Sequence, residues 1–156
     1  MLRFRPIVAS VLALIFAACA DPAGLDHLAI NVALGRNKMM SGDTTTVVVR
    51  FTNTGSDAID LQLFCQNLFE VANADGEIVA GHEAMTCVTL ALGPERLGPR
   101  ESIERRFLWA AQFRQQIGDT LISGPLPPGT YQVYGKVEQR RSAPTVLELE
   151  PRVPPQ

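Results

Sequence analysis

The sequence predicts an all-β domain, an antiparallel β-sandwich of about seven to nine strands. Short runs in which apolar and polar residues alternate recur along the chain, and clusters of Gly, Asn, Asp and Pro separate them. No stretch shows a sustained helical period. This pattern is typical of an immunoglobulin-like sandwich, and an up-and-down barrel is the alternative architecture.

The first half of the chain alternates most clearly. Residues 27–34 and 44–52 each place apolar side chains on every second position, as a half-buried strand does. The residues predicted to face the core are Leu28, Ile30, Val32 and Leu34 in the first strand, Val47, Val49 and Phe51 in the second, and Ile59, Leu61 and Leu63 further on.

The second half supplies a hairpin and further strands. Asn73-Ala74-Asp75-Gly76 predicts the hairpin turn, with Gly76 where a positive φ is wanted. Residues 103–109, 131–137 and 146–149 alternate and predict strands, whereas the polar stretch 112–119 predicts a short helix or an irregular loop.

Four residues are assigned roles in turns and corners. Asn53 can hydrogen-bond the nearby backbone of a turn, and Gly76 and Gly129 let the chain reverse or enter a strand. Tyr131 is expected to pack its ring inward and to hydrogen-bond its hydroxyl near the corner.

The N-terminus has the features of a secretory signal over residues 1–19. Arg3 and Arg5 precede an apolar run from Ile7 to Ala18, which is shorter than the ~20 residues of a membrane span. Two cleavage sites compete: an ordinary small-x-small site around Cys19, and a lipobox-like end in which Cys19 is lipidated. We expect Cys19 to be lipidated, which would anchor the protein to a membrane. Residues 20–25 would then form a short spacer between the lipid and the domain.

The chain has three cysteines, an odd number for an exported protein. If Cys19 carries lipid, Cys65 and Cys87 remain as an even pair in a compartment where disulfides persist. A disulfide between them is predicted, and two separate buried thiols are the alternative. Neither a CxxC motif nor a paired-histidine spacing points to zinc.

Size and charge limit the remaining possibilities. Residues 26–150 form one domain of ordinary size, and 151–156 form a Pro-rich tail. The formal net charge of −2 and the lack of a basic cluster argue against nucleic acid as a partner.

Catalytic motifs are missing from the sequence. His27 and His82 are the only histidines, and neither a Gly-x-Ser-x-Gly nor an HExxH motif is present. We therefore expect no enzyme activity, no metal and no cofactor, and we assign His82 to an exposed loop.

One loop is the candidate binding site. The segment from Gly93 to Arg100 contains two prolines and carries Arg96, Leu97 and Arg100. A stiff loop loses less entropy on binding, which suits an inhibitor. A plain connection between strands is the alternative.

Four strings in order, VVVRFTNTGSDAIDLQL, FEVANADGEIV, FLWA and LPPGTYQVYGKV, resemble the BsuPI-type intracellular proteinase inhibitor domain across roughly residues 28–138. This resemblance implies an immunoglobulin-like fold and an inhibitory activity. The family usually carries Pro-Gly-Glu before the aromatic strand, whereas this chain has Gly98-Pro99-Arg100-Glu101.

The function expected from the sequence is a non-catalytic protein-binding module of the bacterial cell envelope, monomeric and facing the periplasm. The resemblance implies that its protein partner is a protease. The alternative function is an accessory envelope lipoprotein that pairs with an assembly partner through a sheet edge. The alternative location is soluble, in the periplasm or secreted.

Overall fold

The structure, a computed structural model, describes residues 25–64, 66–82, 93–117 and 120–152, with the backbone alone at 114–117 and 121. A 3-10 turn at Leu25–His27 precedes the first strand. The strands are β1 Leu28–Leu34, β2 Lys38–Met40, β3 Thr45–Asn53, β4 Ile59–Leu61, β5 Phe69–Ala72, β6 Ile78–Gly81, β7 Glu95–Leu97, β8 Ser102–Trp109, β9 Gln112–Ile117, β10 Thr120–Pro125, β11 Gly129–Val137, β12 Arg140–Arg141 and β13 Thr145–Glu150. The predicted all-β class is confirmed.

The first sheet contains three antiparallel strands in the order β1-β3-β8. In the central strand β3, Val47, Val49 and Phe51 are fully buried while Arg50 is exposed. The alternation follows from the two-residue period of a strand, which sends successive side chains to opposite faces. The predicted inward face of this strand is therefore confirmed.

The second sheet has the order β2-β13-β11-β5-β6, and the short strand β12 pairs with the end of β11. Its pairings are antiparallel except the one between β2 and β13, which is parallel and places Lys38 opposite Glu148. Central β11 pairs with β13 on one side and with β5 on the other. The strands predicted at 131–137 and 146–149 are thus confirmed, and they are neighbours.

The two sheets pack face to face, with β11 against β1 and β3. They approach closely at Gly135, where an added Cβ would lie 2.9 Å from Val49 Cγ1 and 3.0 Å from Ile30 Cγ2. A larger residue would force the layers apart, so the site needs glycine. The described sheets lie in separate layers and do not close into the barrel that was the alternative.

The described residues contain thirteen strand segments, more than the seven to nine predicted. Several are two or three residues long, and two belong to the hairpin β9–β10, which pairs Gln112 with Pro125. The helix or loop predicted for 112–119 is therefore wrong over the described part of that stretch. A hairpin that pairs mainly with itself does not need an alternating apolar face, so the sequence gives no period-2 signal there.

The ordered domain begins slightly earlier than predicted. Leu25, assigned to the spacer, is 2% exposed and belongs to the core. The signal segment 1–19 and the three cysteines, Cys19, Cys65 and Cys87, lie outside the described residues, so lipidation and the disulfide remain predictions. Within the described ranges, no helix has the length and apolar character needed to cross a membrane.

Candidate functional site

The predicted binding loop ends in a closed four-residue turn, Gly98–Glu101. The amide of Glu101 donates to the Gly98 carbonyl at 3.1 Å, and the amide of Gly98 donates to Glu101 Oε2 at 2.7 Å. Pro99 occupies the second position, where its fixed φ suits a turn. Arg100 occupies the third position with a φ of 61°. That positive φ is the geometry of a type II turn, in which glycine is favoured at the third position.

Asn53 holds this turn from the end of β3. It is fully buried, and its Nδ2 donates to the carbonyls of Leu97 at 3.1 Å and Gly98 at 3.0 Å. Its backbone amide donates to the Glu101 carbonyl at 2.9 Å. Asn53 also bonds its own turn, because its Oδ1 accepts from the Gly55 amide at 2.9 Å. The turn role assigned to Asn53 thus extends to a second, distant turn.

The three residues chosen as the binding loop differ in orientation. Residues 95–97 form β7, which pairs with β4 and places Asp60 opposite Arg96 and Ile59 opposite Leu97. Leu97 is 4% exposed and packs in the core, so a partner cannot reach its side chain. Arg96 and Arg100 are exposed. The surface available for binding therefore consists of Arg96 and the turn Gly98–Glu101, which carries Arg100. We call it the arginine surface.

Arg96 and Arg100 differ from the other described cations. Each of the other lysines and arginines whose side chain the structure describes makes an ion pair or a side-chain hydrogen bond. The paired residues are Arg36, Lys38, Arg50, Arg105, Arg106, Lys136, Arg140, Arg141 and Arg152. Within the described residues, Arg96 and Arg100 have no such partner. Their guanidinium groups are left available to another molecule.

Elsewhere the surface charges are mutually satisfied. Glu104 accepts from both Arg50 and Arg106, and these hydrogen bonds hold the pKa of its carboxyl below the usual value. Lys38 lies 3.0 Å from Glu150, and that contact raises the pKa of the lysine. Because these groups neutralise each other, little unpaired charge remains there to attract a partner.

The other assigned turn residues lie at other strand ends than Asn53. Gly76 has a φ of 82° in the β5–β6 hairpin, a conformation that favours glycine. Gly129 begins β11, and the hydroxyl of Tyr131 donates to the Pro127 carbonyl at 2.8 Å. Burial raises the pKa of Tyr131. These residues shape the fold and do not contact the arginine surface through any hydrogen bond or ion pair of the described residues.

A second feature, which the sequence did not reveal, is a groove between β6 and β8, which are edge strands of the two sheets among the described residues. Its volume is about 790 Å³, and its lining includes Phe69, His82, Phe107 and Trp109. His82 lies just after β6 and outside any strand, as predicted, but its side chain is half-buried, with its ring centroid 4.2 Å from that of Phe107, so the predicted exposure is wrong. The groove joins strands far apart in sequence, and no local pattern marks it.

The rim of this groove is partly apolar. Leu108 is 82% exposed on the outer face of β8, and Ile78 is 41% exposed on β6. Asn67 Oδ1 is buried in the groove wall and has no hydrogen-bond partner among the described residues. An extended chain could use both the edge of β6, which has one partner strand among the described residues, and this acceptor.

Across the described ranges, no group of three or more His, Cys, Asp or Glu side chains could hold a metal ion. No protein-family model matches the chain, and no curated protein matches it.

Proposed function

We propose that this protein is a non-catalytic protein-binding module whose contact surface is the braced turn Gly98–Glu101 together with Arg96. The observation that carries the proposal is the pairing of every other described cation while Arg96 and Arg100 stay unpaired. Arginine is enriched where binding energy concentrates in protein interfaces. A turn fixed by Asn53 and Pro99 would lose little entropy when it binds.

The proposed activity is inhibition of a protease. Its support is the resemblance to BsuPI-type inhibitor domains and the rigidity of the turn. An inhibitor must resist cleavage, and a turn closed by its own hydrogen bonds cannot extend along a protease cleft without breaking them.

The sandwich is proposed to be of the immunoglobulin type. The strand orders β1-β3-β8 and β2-β13-β11-β5-β6 resemble the two sheets of that fold, with a parallel pairing of β2 to the last strand. The hydroxyl of Tyr131, near the start of β11, bonds the backbone four residues upstream, as in the tyrosine corner of immunoglobulin-like domains.

The proposed location is the bacterial cell envelope, with Cys19 lipidated and the domain facing the periplasm. The basis is the sequence of residues 1–19. Membrane fractionation of cells that express the full chain tests it. The wild type should sediment with membranes, and Cys19→Ala should release the protein. Equal sedimentation of both forms would contradict the anchor.

An inhibition titration tests the function. The purified, oxidised protein is titrated against a panel of serine, cysteine and metalloproteases, alongside the double variant Arg96→Ala/Arg100→Ala. We expect saturable inhibition at sub-micromolar concentration that the double variant loses. Arg50→Ala is the matched control, because it removes an exposed arginine that is paired with Glu104. Inhibition that the double variant retains would place the contact elsewhere.

A second candidate is an accessory envelope protein that pairs with an assembly partner through the edge strand β6. The groove beside β6 and the apolar rim at Leu108 favour it. Leu108→Lys should abolish this pairing, whereas Val146→Lys on β13, also exposed, should leave it intact. Edge pairing should survive the double change Arg96→Ala/Arg100→Ala, which separates the two functions.

A further inference from the structure

Arg100 has a backbone conformation for which glycine would be the better residue. Its φ of 61° is one that glycine adopts freely and that a side chain with a Cβ disfavours. The other residues of the turn are tied by hydrogen bonds that do not involve the Arg100 side chain. Glycine would therefore close the same turn with less strain.

Intramolecular contacts do not explain the arginine either. Its side chain is exposed and, among the described residues, makes no ion pair or hydrogen bond. Strain that no local contact offsets is a feature of functional positions. The guanidinium stands on a turn whose backbone is fixed by Pro99 and by the buried amide of Asn53.

The chemistry of the guanidinium limits the partner. It stays charged and offers a planar fork of donors that matches a carboxylate in two parallel hydrogen bonds. A charge that becomes buried in an interface costs free energy unless it is paired. A pocket that takes Arg100 must therefore contain a carboxylate.

Resting on the proposed function, we infer that Arg100 is the specificity-determining residue and that it anchors in a protease pocket with a carboxylate at its base. Arg96, exposed on β7, would add positive charge at the edge of the same contact and assist encounter. Cleavage beside Arg100 is not expected, because the turn keeps its closed form.

Inhibition of trypsin tests the inference, because the specificity pocket of trypsin has an acidic residue at its base. Chymotrypsin, with a hydrophobic pocket, and elastase, with a small one, serve for comparison. The purified, oxidised full chain should inhibit trypsin saturably and stay intact by mass spectrometry. It should inhibit chymotrypsin and elastase at least about 30-fold more weakly, the change that loss of one strong interface contact produces.

The variants Arg100→Gly, Arg100→Lys and Arg100→Gln separate charge from shape. Arg100→Gly and Arg100→Gln should weaken trypsin inhibition at least about 30-fold, and Arg100→Lys should retain part of it. Arg100→Gly is expected to be no less stable than the wild type in thermal unfolding, so lost inhibition would not reflect unfolding. Arg96→Ala should have the smaller effect.

The outcomes distinguish the inference from the function on which it rests. Inhibition of chymotrypsin or elastase but not of trypsin overturns the inference and leaves the inhibitor function standing. Trypsin inhibition that Arg100→Gly leaves unchanged overturns the role of Arg100 alone. Failure to inhibit any protease in the wider panel overturns both.

Discussion

Asn53 Nδ2 lies 3.0 Å from the carbonyl oxygen of Gly98, so a buried residue at the end of β3 holds the first residue of the turn that carries Arg100. The same amide nitrogen contacts the carbonyls of Leu97 and Asp57. One side chain thus links two turns and fixes the orientation of the arginine surface.

Replacing Asn53 with Ala should destabilise the protein. The change leaves the buried carbonyl of Leu97 without its side-chain donor, and it also removes the bonds to Gly98 and Asp57. A loss of about 2–4 kcal/mol in the free energy of unfolding is expected. Urea denaturation followed by tryptophan fluorescence measures it.

The matched control is Asn73→Ala. Asn73 Oδ1 accepts from the amides of Asp75 and Glu77 in a similar turn, but these bonds are exposed. Water can replace them, so the expected loss is below about 1 kcal/mol. Equal losses for the two variants would show that burial does not distinguish them.

Replacing Arg100 with Gly should stabilise the fold. Relief of the left-handed strain should raise the free energy of unfolding by about 1–2 kcal/mol. The greater freedom of glycine in the unfolded chain offsets part of that gain, so a net increase of about 0.5–1 kcal/mol is expected. Gly76→Ala provides the reverse control, because Gly76 has a φ of 82° and open space around it. That variant should lose stability, and a gain there would undermine the argument from φ.

The sequence could predict the parts of the fold that bury one face of a strand. Val47, Val49 and Phe51 alternate because they line one side of β3, and that period is visible locally. The hairpin β9–β10 could not be predicted in this way, since its pairing does not depend on an apolar period. The groove was missed because β6 and β8 meet only through the packing of two sheets.

The arginine surface was predictable only in part. Two exposed arginines in a Pro-braced loop pointed to the right segment, but Leu97 faces the core because it pairs opposite Ile59. Pro99 favours the second position of type I and type II turns alike, so a turn could have been inferred but not the positive φ of Arg100. The bond from Asn53 could not, because it spans forty-four residues of the chain.

Replacing Glu70 with Gln should weaken the second sheet. Glu70 is 5% exposed on β5 and lies 2.5 Å from both Lys136 and Arg141. Removing its charge leaves two cations beside a buried site without a counter-charge, and a loss of about 2–3 kcal/mol is expected. Thermal or urea unfolding measures it.

Glu104→Gln is the control for Glu70. Glu104 also pairs with two arginines, but both Arg50 and Arg106 are more than half exposed. Exposed ion pairs contribute little to stability, so this variant should stay near the wild type. A larger loss at Glu104 than at Glu70 would contradict the assignment of stability to the buried pair.

Reduction of the predicted disulfide between Cys65 and Cys87 should lower stability by about 3 kcal/mol, because the bond closes a loop of about 23 residues in the unfolded chain. Alkylation of the unreduced protein followed by mass spectrometry counts the free thiols. Two free thiols at these positions would disprove the bond. Cys65→Ser/Cys87→Ser should match the reduced protein and should not respond to reductant.

High pH should remove the stabilising contribution of Tyr131. Burial raises its pKa above the ordinary value of 10.0, so the folded state holds the phenol proton more tightly than the unfolded state does. The contribution is therefore complete below about pH 10 and is lost as the pH rises through the folded pKa. The free energy of unfolding, measured by urea titration between pH 8 and 11, should fall over that window.

Tyr131→Phe isolates this effect. At pH 8 the variant should be less stable by about 1 kcal/mol, because it lacks the hydrogen bond to the Pro127 carbonyl. Above pH 10 the difference should shrink, since only the wild type then loses stability through residue 131. All other groups are the same in the two proteins, so their effects cancel from the comparison. A difference that stayed constant up to pH 11 would show that the Tyr131 hydroxyl gains or loses its proton equally in the folded and unfolded states.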